Sequence, residues 1–434
     1  MQTLEPDSTQ SSPTGGAATA LQPLVFALLG DPQIEISFWD GTCIGRSDGP
    51  GRLTVLSPNA VRRIMWAPDE LGVARAYVAG EIDVDGDVLE VLRALRPTAT
   101  VRSGLAAAPA ALAAARRVGA LSAPPPPPPE EARPRGRRHS KQRDAQAVTH
   151  HYDVGNDFYR IVLGPAMTYS CARFERADST LEEAQASKHD LICRKLGLHE
   201  RPGQRLLDIG CGWGSMAMHA ARHHGAKVVG ITISPTQLEL ARARVAEAGL
   251  ADQVDIRLQD YRDLGGESFD AISSVGMFEH VGNERMGEYF RVVRGLLGPR
   301  GRMLNHAISA IGGSRLGGRT FVGRYVFPDG ELIDVGEVVL AMEAAGFEVR
   351  DVESLREHYA RTLRAWVANL GADWDHAVSL VGAARARIWQ LYMAGSAIGF
   401  EDGGIGLHQV LGVVPGPDGG SGMPRTRDNW RTEA

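Results

Sequence analysis

Leu206-Leu207-Asp208-Ile209-Gly210-Cys211-Gly212-Trp213-Gly214 is the stretch whose reading decides the fold. An apolar run carrying one acid gives way to glycines at every second position, the pattern of a strand turning sharply into a helix. Glycine there permits the tight turn and lets main chain approach a ligand. Downstream, residues 226–232, 254–258, 269–275 and 301–308 read as strands, and 213–224, 235–248 and 284–297 as helices. Such alternation predicts an α/β domain, a Rossmann-like doubly wound parallel sheet with its ligand beyond the C-terminal ends of the strands. Helical stretches at 354–370 and 377–398 and a last strand at 407–414 are expected as additions.

Two cofactors compete for the glycine loop. A dinucleotide site needs glycine at the sixth position of its fingerprint and an acid about 20 residues on. Here Ser215 takes the sixth position and the second strand ends Gly230-Ile231-Thr232 without a carboxylate. The Asp-x-Gly-x-Gly-x-Gly spacing instead resembles motif I of S-adenosylmethionine (SAM) methyltransferases. After Thr232, Ser234 suits an N-cap, Pro235 the first helical position and Gln237 the closing side of a capping box. That local role competes with cofactor contact for Gln237, less so for Thr232. Asp260 either accepts from an adenine amine or simply initiates the turn Asp260-Tyr261-Arg262-Asp263.

Composition narrows the classes. With 47 basic and 52 acidic residues in 434, net charge −5, no global positive field exists to hold nucleic acid. The four cysteines (Cys43, Cys171, Cys193, Cys211) make neither a disulfide framework nor a Cys-x-x-Cys metal site, so a reducing cytoplasm is the expectation. No signal peptide or membrane span is read. His150-His151 has metal-like spacing but no third ligand, and a loop role is expected; no metal is assigned. Residues 1–21 and 416–434 are expected to be disordered tails, 22–100 a small α+β domain, and 101–145 a linker. That linker is Ala-rich, then holds the proline run Pro124 to Pro129, then six basic residues with no acid between them: Arg133, Arg135, Arg137, Arg138, Lys141 and Arg143. It is either a solvated spacer or a patch for anionic headgroups. Residues 146–415 are expected to form the catalytic domain.

Further motifs stand in register with the glycine loop. They are the 151–158 segment HYDVGNDF, Met167-Thr168-Tyr169-Ser170-Cys171-Ala172, Gln259 to Asp263, Ser274 to Gly282, Tyr325 to Gly330 and Tyr359 to Trp366. With them, residues 146–412 resemble the cyclopropane-fatty-acyl-phospholipid synthases, SAM-dependent fatty-acyl C-methyltransferases of the mycolic acid cyclopropane synthase type. Residues 22–95 resemble, more weakly, the lipid-binding N-terminal domain of those enzymes.

The resemblance implies methyl transfer from SAM to a cis double bond of a phospholipid acyl chain, then proton loss to a bound bicarbonate and closure of a cyclopropane. It implies Cys171, Glu279, His306, Ile308 and Tyr359 around the bicarbonate, and Tyr169, Ser170, Gly210, Cys211, Gly212, Thr232, Ile233, Gln237 and Asp260 around SAM. Each has a plainer alternative: Cys171 as a small buried hydrophobe, Glu279 with His280 as a helix-end pair, His306 as a core histidine. Asn305 and Ala307 depart from the family pattern and are expected beside the base, leaving a methylene product open. Ser396 replaces a cysteine often found in the late helix. The expected partner is the phospholipid surface of the inner leaflet with its unsaturated chains, the protein being cytoplasmic and peripheral. A homodimer stays open. The opposed readings are a small-molecule methyltransferase and a non-catalytic lipid-binding protein.

Overall fold

The computed structural model describes residues 16–96, 109, 112–132, 143, 154–313 and 320–430. The chain divides into two compact units, Met1–Glu131 and Ala132–Ala434.

The first unit carries strands β1 (Glu35–Phe38), β2 (Cys43–Gly45), β3 (Gly51–Val55) and β4 (Ile82–Gly86) in the order β2-β1-β3-β4. Helices Pro58–Trp66, Glu70–Val78 and Val88–Ala94 each begin where a side chain caps the first turn, from Ser57, Asp69 and Asp87. Two expected boundaries are corrected. The N-terminal tail, drawn to residue 21, gives way to a helix over Ala17–Leu29 whose Ala17, Ala18 and Leu21 enter the core. Part of the supposed 101–145 linker belongs to this unit as well, since Ala114, Ala115 and Ala120 are buried in the same core. Small side chains allow that close approach. The proline run is docked too: buried Arg63 donates to the carbonyl oxygens of Pro125 and Pro126 (3.3 and 3.1 Å) while also binding Glu81. Extended proline leaves its carbonyls without internal partners, which suits them to such a donor. Of the basic run only Arg143 lies within the described residues, paired with Asp329.

The second unit is built on β5 (Arg205–Ile209), β6 (Lys227–Thr232), β7 (Val254–Leu258), β8 (Phe269–Val275), β9 (Leu297–Ala310), β10 (Ile333–Asp334), β11 (Glu348–Ser354) and β12 (Ile405–Val413). Their order is β11-β12-β9-β8-β5-β6-β7, with β10 beside β9. Pairing is parallel from β7 through β9, and β12 runs antiparallel to both its neighbours. Alternation along the strands feeds two cores. Leu206, Val228, Ile256 and Leu304 pack with helices Leu181–Leu196 and Ser215–His224; Leu207, Val229, Ile272 and Met303 pack with helices Met286–Gly295 and Val335–Ala344.

The single helix expected over 377–398 is two, Trp374–Val381 and Ala383–Glu401, broken at Gly382 with φ +81°. The C-terminal tail, expected disordered from 416, is placed as far as Trp430, whose ring is buried; Arg427 pairs with Asp351 at 2.8 Å. Trp430 and Met423 join the core beneath helix Leu181–Leu196 and supply apolar area that a purely compositional reading misses. No helix among the described residues is long and apolar enough to cross a membrane.

Candidate active site

A cleft opens at the C-terminal ends of β5 to β8. Gly210 sits at φ +76°, where an added Cβ would meet Met277 at 3.0 Å. The main-chain N–H groups of Gly210 and Cys211 both donate to the Ile231 carbonyl at 3.0 Å, which ties the turn to β6. Gly230 lacks a side chain where Cys211 Cβ and Sγ would lie 3.1 Å from its Cβ, so the loop settles onto the strand. All nine residues assigned to SAM line this cleft: Tyr169, Ser170, Gly210, Cys211, Gly212, Thr232, Ile233, Gln237 and Asp260.

Details differ from expectation. Ser234 does cap Gln237 N–H (3.3 Å), but the Gln237 side chain turns to Thr232, whose hydroxyl donates to Gln237 Oε1 at 2.8 Å. The two presumed contacts are thus one coupled pair. The Asp260 carboxylate is already engaged by Arg262, which donates from Nε (2.8 Å) and a terminal nitrogen (2.6 Å).

One side of the cleft is the segment from Ala166 to Ser170, with Met167 at φ +49°. Ser215 Oγ and Arg244 both donate to the Ala166 carbonyl, at 2.5 and 3.0 Å. Gln185 donates to the Ser170 carbonyl at 2.8 Å, and Lys188 Nζ to Ser170 Oγ at 2.9 Å. Lys188 is fully buried and lines the cleft with Asp208; burial pulls the lysine down to about 7 and pushes the aspartate up to about 6. Asp208 Oδ1 accepts from Ser273 (2.8 Å) while Oδ2 has no partner. Both residues were missed in the sequence: Lys188 sits in a helix where lysine ordinarily faces solvent, and Asp208 was taken only as part of the strand motif.

The five residues assigned to the bicarbonate shell lie outside that lining but share a connected patch of main chain. Ile308 N–H donates to Glu279 Oε1 at 2.8 Å, leaving Glu279 Oε2 buried and unpartnered. Ile308 pairs across the sheet with Leu407, whose carbonyl accepts from Leu355 N–H (2.9 Å). The Leu355 carbonyl in turn accepts from Tyr359 N–H (3.1 Å) and lies 3.7 Å from Cys171 Sγ. Ile308 therefore holds Glu279, so its N–H is not offered to a ligand. His306, two residues earlier on the same face of β9, is held at Nδ1 by Gln409 (3.2 Å), and its Nε2 has no partner. Burial keeps His306 neutral and pushes Glu279 up to about 7 and the Cys171 thiol well up. Asn305 and Ala307 belong by alternation to the face of β9 opposite His306. His150 and His151 lie outside the described residues.

Rings connect the two regions. Tyr169 stands 5.7 Å from Trp389 and 5.3 Å from Trp366; Trp389 reaches Tyr392 (5.9 Å), Tyr392 reaches Phe327 (5.6 Å), and Phe327 reaches His280 (5.9 Å), back at the cleft. Tyr359 packs on Trp366 and Phe400. Sequence periodicity assigned Trp366, Trp389 and Tyr392 only to helices; their convergence with Tyr169 and Phe327 is a product of tertiary packing.

Comparison with known proteins agrees with this geometry. The family described as mycolic acid cyclopropane synthetase matches residues 139–410. A probable fatty acid methyltransferase of Mycobacterium tuberculosis is 42% identical over 420 residues, covering 92% of this chain and 95% of that protein. The cyclopropane-fatty-acyl-phospholipid synthase of Escherichia coli is 40% identical over 275 residues, covering 63% of this chain and 69% of that one. Among solved structures, mycolic acid cyclopropane synthase CmaA1 complexed with SAH and CTAB aligns with TM-score 0.59 and 36% identity, over 62% of this chain and 98% of that one. A glycine-loop cleft of this architecture, matched by that family over most of its second unit, shows that this chain belongs to the mycolic acid cyclopropane synthetase family and is a SAM-dependent methyltransferase.

Proposed function

We propose that the protein methylates the cis double bond of unsaturated phospholipid acyl chains and closes a cyclopropane, as a cytoplasmic protein docked on the inner leaflet. The observation that carries this reading is the presence of two buried, unpartnered polar atoms, Glu279 Oε2 on a carboxylate tied to β9 and His306 Nε2 on β9 itself, while Tyr359 of the same set reaches the cleft residue Tyr169 through Trp366. SAM, when bound, supplies an electrophilic methyl group on a sulfonium centre. An alkene is a weak nucleophile, so the protein must fix it in line with that methyl group and exclude water. Tyr169, Trp366, Trp389 and Tyr392 offer apolar faces for the chain, and their π faces favour the cation left on the adjacent carbon.

Ring closure requires that the new methyl group lose a proton. Glu279, raised to about 7 by burial, exchanges a proton readily near neutrality. The donor–acceptor character of the set also fits a small oxyanion: His306, with Nδ1 accepting from Gln409, presents N–H at Nε2, and Glu279 Oε2 accepts. Bicarbonate held there by Glu279, His306, Tyr359 and Cys171 would supply a basic oxygen. Docking on lipid is supported by the basic run at 133–143 and by exposed Trp66 and Leu56 on the first unit.

Expression in a host lacking cyclopropane fatty acids, followed by fatty-acid analysis, tests this. Unsaturated chains should gain one CH₂ and lose their double bond. Gain of CH₂ with a retained double bond supports the second reading, a methylene-forming enzyme. No gain on any unsaturated chain, with folded and SAM-bound protein, would sink both. Glu279→Gln and His306→Ala should each abolish turnover while still binding SAM; normal activity in both would refute the base assignment.

A further inference from the structure

Helices Leu181–Leu196 and Ser215–His224 pack against one another and bring together a cluster that methyl transfer does not use. Cys193 from the first helix and His219 and His224 from the second place one ligand atom each within 4.8 Å of one another, the only such group among the described residues. Cys193 is wholly buried, and His219 Nε2 is a buried nitrogen with no hydrogen-bond partner. His224 Nε2 is 3.0 Å from Asp190 Oδ1, and Asp190 Oδ2 accepts from Arg194 at 2.6 Å. The rings of His189 and His223 stand 5.5 and 4.6 Å from that of His219.

We propose that Cys193, His219 and His224 bind one zinc ion, which clips the two helices together. Thiolate and imidazole ligands suit a borderline-soft divalent ion and disfavour magnesium or calcium, which take oxygen donors. Asp190 stands where an outer carboxylate usually orients a metal-bound imidazole, taking one ring nitrogen of His224 and leaving Nδ1 for the ion. The Cys193 thiolate would offset one of the two positive charges, and the Asp190 carboxylate, shared with Arg194, lies beside the ion's imidazole ligand. Water would complete a tetrahedron. The plainer account, that the histidines complement the negative C-terminal end of their helix, explains His223 and His224. It leaves unexplained the thiol facing them and the unpartnered His219 Nε2. The clip would act on the cleft only through the helix: Lys188 and His189, which line the cleft, stand one turn before Cys193.

The full-length chain, stripped with a chelator, is titrated with cobalt(II) and then zinc(II). Expected are one equivalent of cobalt per chain, visible bands of tetrahedral cobalt, a thiolate charge-transfer band, and loss of all these bands on adding zinc. Cys193→Ser should lose the charge-transfer band. His219→Gln and His224→Gln should each weaken binding at least about tenfold, and Asp190→Asn about 10–100-fold, the usual range for an outer-shell partner. SAM binding measured on the same samples reports folding. Should Cys193→Ser fail to fold, His224→Gln and the unmodified chain still decide the matter. Folded, SAM-binding protein that takes up no stoichiometric cobalt or zinc overturns the proposal, as does undiminished binding by the His219→Gln and His224→Gln variants.

Discussion

Glu279 illustrates how one buried carboxylate makes stability depend on pH. Its Oε1 is held by Ile308 N–H at 2.8 Å and its Oε2 has no partner, so burial outweighs that one bond and raises it from 4.5 to about 7. The folded state thus binds this proton more tightly than the unfolded chain does. Its stabilising contribution is complete below about 4.5 and is lost as pH climbs through about 7. Asp208, raised to about 6 by burial, acts with the same sign, whereas His306, lowered by burial, acts oppositely, becoming a liability as pH falls below its ordinary 6.5. A comparison of Glu279→Gln with the unmodified chain isolates the one group. The variant should gain relative stability between about pH 4.5 and 7, on the order of 3 kcal/mol in all, and the difference should be flat outside that window. Denaturant unfolding at several pH values measures this; a difference independent of pH would contradict the burial account.

At the scale of elements, the β5 turn is the most constrained piece of the cleft. Gly210 combines φ +76° with a 3.0 Å approach to Met277 that would force this side chain to shift for a Cβ, while Gly212 at φ +54° faces open space. Gly212→Ala should cost only the left-handed backbone penalty, about 1–2 kcal/mol. Gly210→Ala should cost more and weaken SAM binding further, as calorimetry and thermal unfolding of the two variants would show; equal effects would mean that the contact with Met277 yields freely.

Much of this region was legible in the sequence. The expected limits of β7 and β8 coincide with the observed ones because short apolar runs there are bounded by glycine or turn residues. β11 was not legible: Glu348–Ser354 carries alternating charges, which an edge strand tolerates but periodicity reads as loop. β9 begins earlier than expected because Gly298, Pro299 and Gly301 read as a turn. Lys188 could not be recognised as a cleft residue, because its partner Ser170 is brought near only by the packed helix. The link from Ile308 through Leu407 and Leu355 to Tyr359 and Cys171 is likewise main chain across strands, and no side-chain pattern encodes it.

For the molecule as a whole, charge and cores are distributed unevenly. Each unit has its own core, and a net charge of −5 coexists with a run of basic residues at 133–143. If that run meets the inner leaflet, each charge near the surface contributes about 1 kcal/mol. Replacing Arg133, Arg135, Arg137, Arg138 and Lys141 with Gln, and sparing Arg143 for its pair with Asp329, should weaken binding to phosphatidylglycerol-containing vesicles several-fold per charge and flatten its salt dependence. Unchanged co-sedimentation would place the affinity elsewhere. A last consequence concerns how such a protein can diversify. His306 and Ile308 belong to β9, a strand paired along much of its length with β8 and β12, and Glu279 is tied to that strand through Ile308 N–H. The rings Trp366, Trp389 and Tyr392 stand on helices Arg356–Ala372 and Ala383–Glu401. If the protein acts on acyl chains as proposed, inherited changes on those helices would lengthen, shorten or bend the path for a hydrocarbon chain while the strand stays as it is, and a lineage would acquire new lipids without relearning its chemistry.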